Sequence, residues 1–257
     1  MTIAEQLTQT MEPLLDAVYA AGKAAGGGGV GNPADVLQYA TTPARLFYKA
    51  VFPALPAFPD GYELVLDMPN CTTDLKEMFR MAGGLRKLTL NVPTNKSYNV
   101  SYFAYDNSDK YSTLKEIVLP NGIKFSNFSY FANRNSFLKT VSGAIDLSES
   151  TSNENCFAYC PELVDVEFVL GKITKSISFA QSTKLSHASI TSIMNALSAA
   201  GAGQTVTLSK EAVDTAFQDF QNAEGDNPIV IPGSNTNEWN SVASIATEEL
   251  GWAVTLV

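Results

Sequence analysis

Along the middle of the chain the apolar positions recur in a fixed step. Counted from Phe79 they fall at +6, +9 and +11, as Leu85, Leu88 and Leu90. Counted from Phe157 they are Leu163, Val166 and Phe168, and from Phe179 they are Leu185, Ala188 and Ile190. The unit at Phe103 keeps the 3-then-2 step after a five-residue insertion, as Leu114, Ile117 and Leu119. The unit at Phe131 is shifted by one, with Leu138 and Val141, and then loses the pattern. Successive Phe residues lie 24, 28, 26 and 22 apart, and all but Phe79 are followed by Ala. A fixed period explains coincidences that would otherwise look like sites.

The +9 and +11 residues are two apart, the spacing of a strand with one face on a core. Phe and +6 belong to the turn or short helix that completes the coil. One such unit cannot bury its apolar edge alone, but stacked neighbours can, so the expected fold is a solenoid with Phe and Leu ladders. In the N-terminal segment Ile3, Leu7, Met11, Leu14 and Val18 lie on one helical stripe. Such a stripe predicts an amphipathic helix that docks on its own domain or associates with copies of itself. "AAGGGGVGNPADV" then reads as a flexible joint, because its G-x-G-x-x-G spacing follows a helix rather than a strand. Beyond Ser189 the apolar spacing becomes helical, through Ile190, Ile193, Met194 and Leu197, with a helix end expected at Gly201 and Gly203. "TVTL" and "AVTL" read as strands that extend the solenoid sheet, with two further helices between them. The expected organisation is an attachment or oligomerisation helix at 1–25, a Gly/Pro-rich linker and lead-in at 26–61, repeats at 62–190 and an α/β cap at 191–257.

"LKEIVLPNGIKFSNFSYFA" and "CFAYCPELVDVEF" resemble the BspA-type leucine-rich repeat, A-F-x-x-C-x-x-L-x-x-I-x-I-P. Leu114, Ile117, Leu119, Pro120 and Ile123 fit its second half; Phe157, Cys160, Leu163, Val166 and Phe168 fit its first. The resemblance implies an α/β repeat fold, a leucine-rich-repeat-like solenoid with an N-terminal helix and a C-terminal α/β cap. It places Cys160 at a small buried position. Cys156, which precedes Phe157 where other copies carry Tyr102, Tyr130 and Ser178, is expected to be incidental.

Charge and chemistry narrow the function. With 17 Lys plus Arg against 26 Asp plus Glu the net charge is −9, which disfavours nonspecific attraction to nucleic acid or anionic lipid. No run of apolar residues is long enough to span a membrane, and the N-terminus lacks the basic and apolar regions of a Sec signal. The single histidine, His187, and the C-x-x-x-C pair of Cys156 and Cys160 supply neither a zinc ligand set nor a redox motif. Glu248 with Glu249 and Asp165 with Glu167 read as solvated pairs, with no pattern that sets two carboxylates across a cleft. Neither metal nor cofactor is expected.

A solenoid without a catalytic cluster reads as a display surface. Its inserted and outward positions are rich in Tyr, Asn and Ser, which make adaptable contacts. The candidate binding surface is Tyr98, Tyr102, Tyr105, Asn107, Tyr111, Asn133, Arg134, Asn153 and Tyr159. The helix–joint–repeat–cap order is similar to that of small phage or prophage tail-associated proteins. That likeness implies a virion protein that meets a host cell-surface protein or glycan, is held by other virion proteins, and can self-associate through residues 1–25. A cell-surface adhesin and a glycan-active enzyme are the alternatives.

Overall fold

The computed structural model describes residues 60–69, 71, 73–106, 113–217, 220–221, 229–230 and 234–257. The expected N-terminal helix with Ile3, Leu7, Met11, Leu14 and Val18, the glycine joint, and the candidate residues Asn107 and Tyr111 lie outside them.

The described chain forms a parallel β-solenoid of about six turns with few helices. One face carries β1 (Tyr62–Asp67), β2 (Leu85–Asn91), β4 (Glu116–Val118), the first half of β6 (Thr140–Asp146) and β7 (Asp165–Phe168), all parallel. A second face carries β3 (Ser97–Asn99), β5 (Ile123–Asn127) and the end of β6. In β6 the two faces are joined by one continuous strand that bends at Gly143, where φ is +95°. The expected columns hold: Leu88, Ile117, Val141 and Val166 are in register, and each is buried. Leu85, Leu114, Leu138 and Leu163 are buried three residues earlier. The loss of pattern after Val141 is the bend itself, since Phe168 pairs with Ile145 across a register shift.

The third side of each coil is a run of overlapping turns. Phe128, Tyr130, Ala132 and Arg134 donate their N–H groups to the carbonyls of Ser152, Glu154, Cys156 and Ala158 on the next coil. The intervening N–H groups of Phe131, Asn133 and Asn135 turn back three residues to Phe128, Tyr130 and Ala132. The same alternation runs from 75–82 onto 99–105 and from 100–106 onto 127–133. Main-chain donors are thereby satisfied without a strand, as burial requires. The geometry demands left-handed backbone at intervals, found at Glu77, Met81, Tyr102, Tyr130, Arg134, Asn155 and Tyr159. Each such residue costs about 1–2 kcal/mol of local strain, which the ladders on both sides hold in place.

This ladder corrects the expected single Phe column. Each donor bonds to the residue before its structural equivalent, so Tyr102, Tyr130 and Asn155 share one position. Two neighbouring buried columns follow. One is Met78, Phe103, Phe131 and Cys156; the other is Phe79, Ala104, Ala132 and Phe157. Where one column is large, the other is small, in three of the four coils. Ring geometry agrees: Phe103 stacks on Phe131 within a column at 5.4 Å and 4°. Across columns, Phe79 meets Phe103 at 76° and Phe131 meets Phe157 at 79°. Cys156 is therefore not incidental; it is the small partner that makes room for Phe157.

The repeat ends differently on each side. The unit expected to place Ala188 inward as a strand is instead α1 (His187–Ala196), which leaves Ala188 exposed and buries Ser189 and Ile190. Ser186 caps it by accepting the N–H of Ser189. The hydroxyls of Ser189 and Ser192 accept the N–H groups of Val166 and Phe168 at 2.9 and 3.0 Å. The helix thus closes the sheet edge that β7 would otherwise leave open. It stops at Ala196 rather than at Gly201, because Leu197 forms a bridge with Ile173. On the turn side, β8 (Ile177–Phe179) replaces the turns, and β9 (Thr205–Leu208) and β12 (Ala253–Leu256) stack on it in parallel. The "TVTL" and "AVTL" strands therefore continue the turn side of the coil, not the main strand face. Between them lie α2 (Lys210–Ala216), the short antiparallel pair β10 (Phe220–Gln221) and β11 (Ile229–Val230), and α3 (Ser234–Ser244). Trp252 seals the end over Gly201 and donates its indole N–H to Ser198 O at 2.8 Å.

Candidate binding surface

The left-handed positions decide what the turn side presents. The backbone that carries Tyr102, Tyr130, Arg134 and Tyr159 turns these side chains away from the buried columns, and they meet along the outside of successive coils. Tyr102 and Tyr130 stack face to face at 4.6 Å and 3°. Tyr105 stands edge-on to both, at 5.4 and 6.3 Å. The Arg80 guanidinium lies 5.2 Å from the Tyr102 ring centre and 5.0 Å from that of Tyr105, with Glu77 accepting from it at 3.2 Å. Farther along, the Arg134 guanidinium lies 4.8 Å from the Tyr159 ring centre. The Tyr130 hydroxyl donates to Glu154 Oε1 at 2.9 Å, and the Tyr159 N–H donates to Gln181 Oε1 at 2.7 Å. The Asn155 amide favours the Tyr130 phenolate and the Glu154 carboxylate opposes it; the net shift is upward, so Tyr130 stays a donor.

Of the residues expected on the surface, Tyr102 and Tyr105 fall in the first group and Arg134 and Tyr159 form the second, with Tyr159 51% exposed. Three others do not belong to it. Tyr98 is fully buried in β3 and donates to Pro93 O at 2.8 Å, because its strand position alternates inward. Asn133 is buried and donates to Asn155 O at 3.1 Å. Asn153 is buried between Ser150 Oγ at 2.7 Å and Lys175 O at 3.1 Å. Both asparagines tie one coil to the next, which is why polar residues occupy these inner positions. Arg80, Tyr130 and Glu154 were missed. The signal for Tyr130 was present, since it and Tyr102 both precede a Phe.

The strand face is a poorer candidate, because its charges are spent between coils. Arg86 pairs with Glu63, Lys87 with Glu116 at 2.7 Å and Lys184 with Glu162 at 2.5 Å, while Asn91 donates to Asp67 at 2.6 Å. Asp165 and Glu167 are exposed there, and Glu248 and Glu249 are exposed beyond α3. His187 packs on Phe217 with ring centres 4.7 Å apart and reaches Glu238 Oε1 at 3.0 Å. Among the described residues no three His, Cys, Asp or Glu converge as a metal site. No helix among them is long and apolar enough to cross a membrane.

The cysteines are free and buried. Cys160 donates to Ala132 O at 3.1 Å. Burial pushes its thiol up to about 12, and burial pushes Cys156 up further, with the neighbouring Cys160 adding to it. Both are expected to resist dithiobis(nitrobenzoate) in the folded chain and to react once urea unfolds it; fast reaction of the folded chain would contradict their burial. The folded state keeps these protons beyond the ordinary thiol range near 8.5. Stability is therefore fully present below that range and falls as pH rises through it, so the urea midpoint at about pH 10 should lie below that at about pH 8.

Compared with protein-family models, with curated proteins and with solved structures, the chain matches none.

Proposed function

We propose that the protein is a non-enzymatic binding protein that presents the Arg80–Tyr102–Tyr105–Tyr130–Arg134–Tyr159 strip to a host-surface protein or glycan. The observation that carries this reading is the strip itself. Four tyrosines and two arginines stack in two groups on the outside of four successive coils, three of the tyrosines and one arginine at strained left-handed positions. Strain of this kind is tolerated where the surroundings over-determine it, and it gathers at functional surfaces. Rigid aromatic side chains with arginine are also the residues that dominate binding energy when an interface forms. The repeat is read as a leucine-rich type from the resemblance of its strand columns and of buried Cys160. On the likeness of the helix–joint–repeat–cap order read from the sequence, the setting is a phage or prophage tail, with residues 1–25 as the attachment and self-association segment.

A binding screen of the full chain against host-cell envelopes and a glycan panel tests the display role. Retention on either supports it, and retention on neither overturns it. Light scattering with and without residues 1–25 tests the attachment role: an oligomer should become a monomer on truncation, and an identical mass per particle from both chains would contradict it.

A further inference from the structure

Two arginines on the strip stack on tyrosine rings, and they differ in their acid partners. Arg80 lies over Tyr102 and Tyr105, and its guanidinium holds a carboxylate of the same chain, Glu77 Oε1, at 3.2 Å. Arg134 lies over Tyr159 at 4.8 Å and is exposed, and no carboxylate of the described residues pairs with it. Glu154, on the coil that carries Tyr159, is engaged elsewhere, accepting from Tyr130 Oη at 2.9 Å and from Asn155 Nδ2 at 3.3 Å. Arg80 with Glu77 is thus a built-in example of the completed motif, and Arg134 is a similar stack without an acid partner among the described residues. A stacked guanidinium keeps its N–H edge directed to solvent in a fixed plane, the geometry that takes a carboxylate through two parallel hydrogen bonds.

From this contrast we infer that Arg134 and Tyr159 form a subsite for a carboxylate-bearing sugar. The guanidinium takes the acid group, and the half-exposed Tyr159 ring takes the apolar face of the sugar. The surroundings favour a sugar over an acidic peptide. Gln181 borders the pair, its Oε1 accepting the Tyr159 N–H at 2.7 Å, and brings an amide group suited to sugar hydroxyls, while the backbone beneath is spent in ladders, leaving no open strand edge for a peptide. This subsite specifies the ligand class for the surface proposed above and rests on that reading.

The full chain should be titrated with an oligogalacturonide, with sialyllactose, with a neutral glucose oligomer and with a glutamate-rich peptide. At least one acidic sugar should bind, and the neutral oligomer and the peptide should not. Arg134→Gln should weaken acid-sugar binding about tenfold or more, the loss of one charge-assisted pair. Tyr159→Ala should weaken it similarly, and Tyr159→Phe should leave it nearly unchanged. A urea midpoint equal to that of the unaltered chain establishes that each variant is folded; if Tyr159→Ala is not, the Arg134→Gln and Tyr159→Phe pair decides. Equal binding of acidic and neutral sugars, preference for the peptide, or an Arg134→Gln variant that binds normally would overturn the inference. If envelopes or neutral glycans are still retained through the strip in that case, the display role stands and only the acid subsite fails.

Discussion

Replacing Gly143 with alanine should destabilise the solenoid by roughly 3 kcal/mol or more, read as a fall in the urea midpoint. Gly143 sits at the bend of β6 with φ at +95°, a conformation that costs an alanine about 1–2 kcal/mol before any contact is counted. A Cβ there would lie 2.1 Å from the carbonyl oxygen of Leu119 and 2.8 Å from its carbon. Leu119 cannot move aside cheaply. Its side chain is buried in the strand column, and its N–H donates to Ser142 O at 2.9 Å, next to the substituted residue. The clash therefore falls on the ladder between two coils. Gly122 supplies the control, since φ is +73° but nothing lies within 4 Å of the added carbon. Gly122→Ala should cost only the conformational part, about 1 kcal/mol. Equal effects at both glycines would mean that the close approach of β6 to Leu119 is not real.

Phe131→Ala should cost about 3–5 kcal/mol, the usual range for a large aromatic removed from a core. The ring is fully buried and lies against Phe103 at 5.4 Å, Phe128 at 4.7 Å and Phe157 at 6.0 Å, so the surroundings cannot collapse onto the space. The sharper expectation concerns its neighbour. Ala132→Phe alone overfills the second column and should cost about 1–3 kcal/mol. Combined with Phe131→Ala it reproduces the small-then-large order of Cys156 and Phe157. The double variant should then be more stable than Phe131→Ala alone, with a favourable coupling of about 1 kcal/mol or more. Simple addition of the two losses would contradict the paired-column packing.

The same two columns explain what the sequence could and could not disclose. On the main strand face Leu88, Ile117, Val141 and Val166 are each buried between less buried neighbours, up to the bend in β6, so they were readable as one column. In the turn segments two successive residues both face inward, as Phe131 and Ala132 do, so an apolar residue there does not reveal its register. Aligning on Phe placed two coils one residue off, and only the main-chain ladder corrects it. The left-handed sites were hidden for a different reason. Propensity looks for Gly or Asn at positive φ, whereas here Tyr, Arg, Glu and Met hold most of these positions because the ladders impose the backbone. Tyr102, Tyr105, Arg134 and Tyr159 were recognisable as polar and aromatic repeat positions. Tyr98, Asn133 and Asn153 looked the same in composition, yet their place in the coil turns them inward.

The display role is tested most directly by comparing the full chain with a Tyr105→Ala/Tyr159→Ala double variant for binding to host-cell envelopes and to the glycan panel. Both tyrosines lie on the outer strip, and Tyr159 is half exposed, so the double variant should keep its urea midpoint. The unaltered chain should be retained by its ligand, and the variant should bind at least about tenfold more weakly. Undiminished binding by a folded double variant would contradict the account.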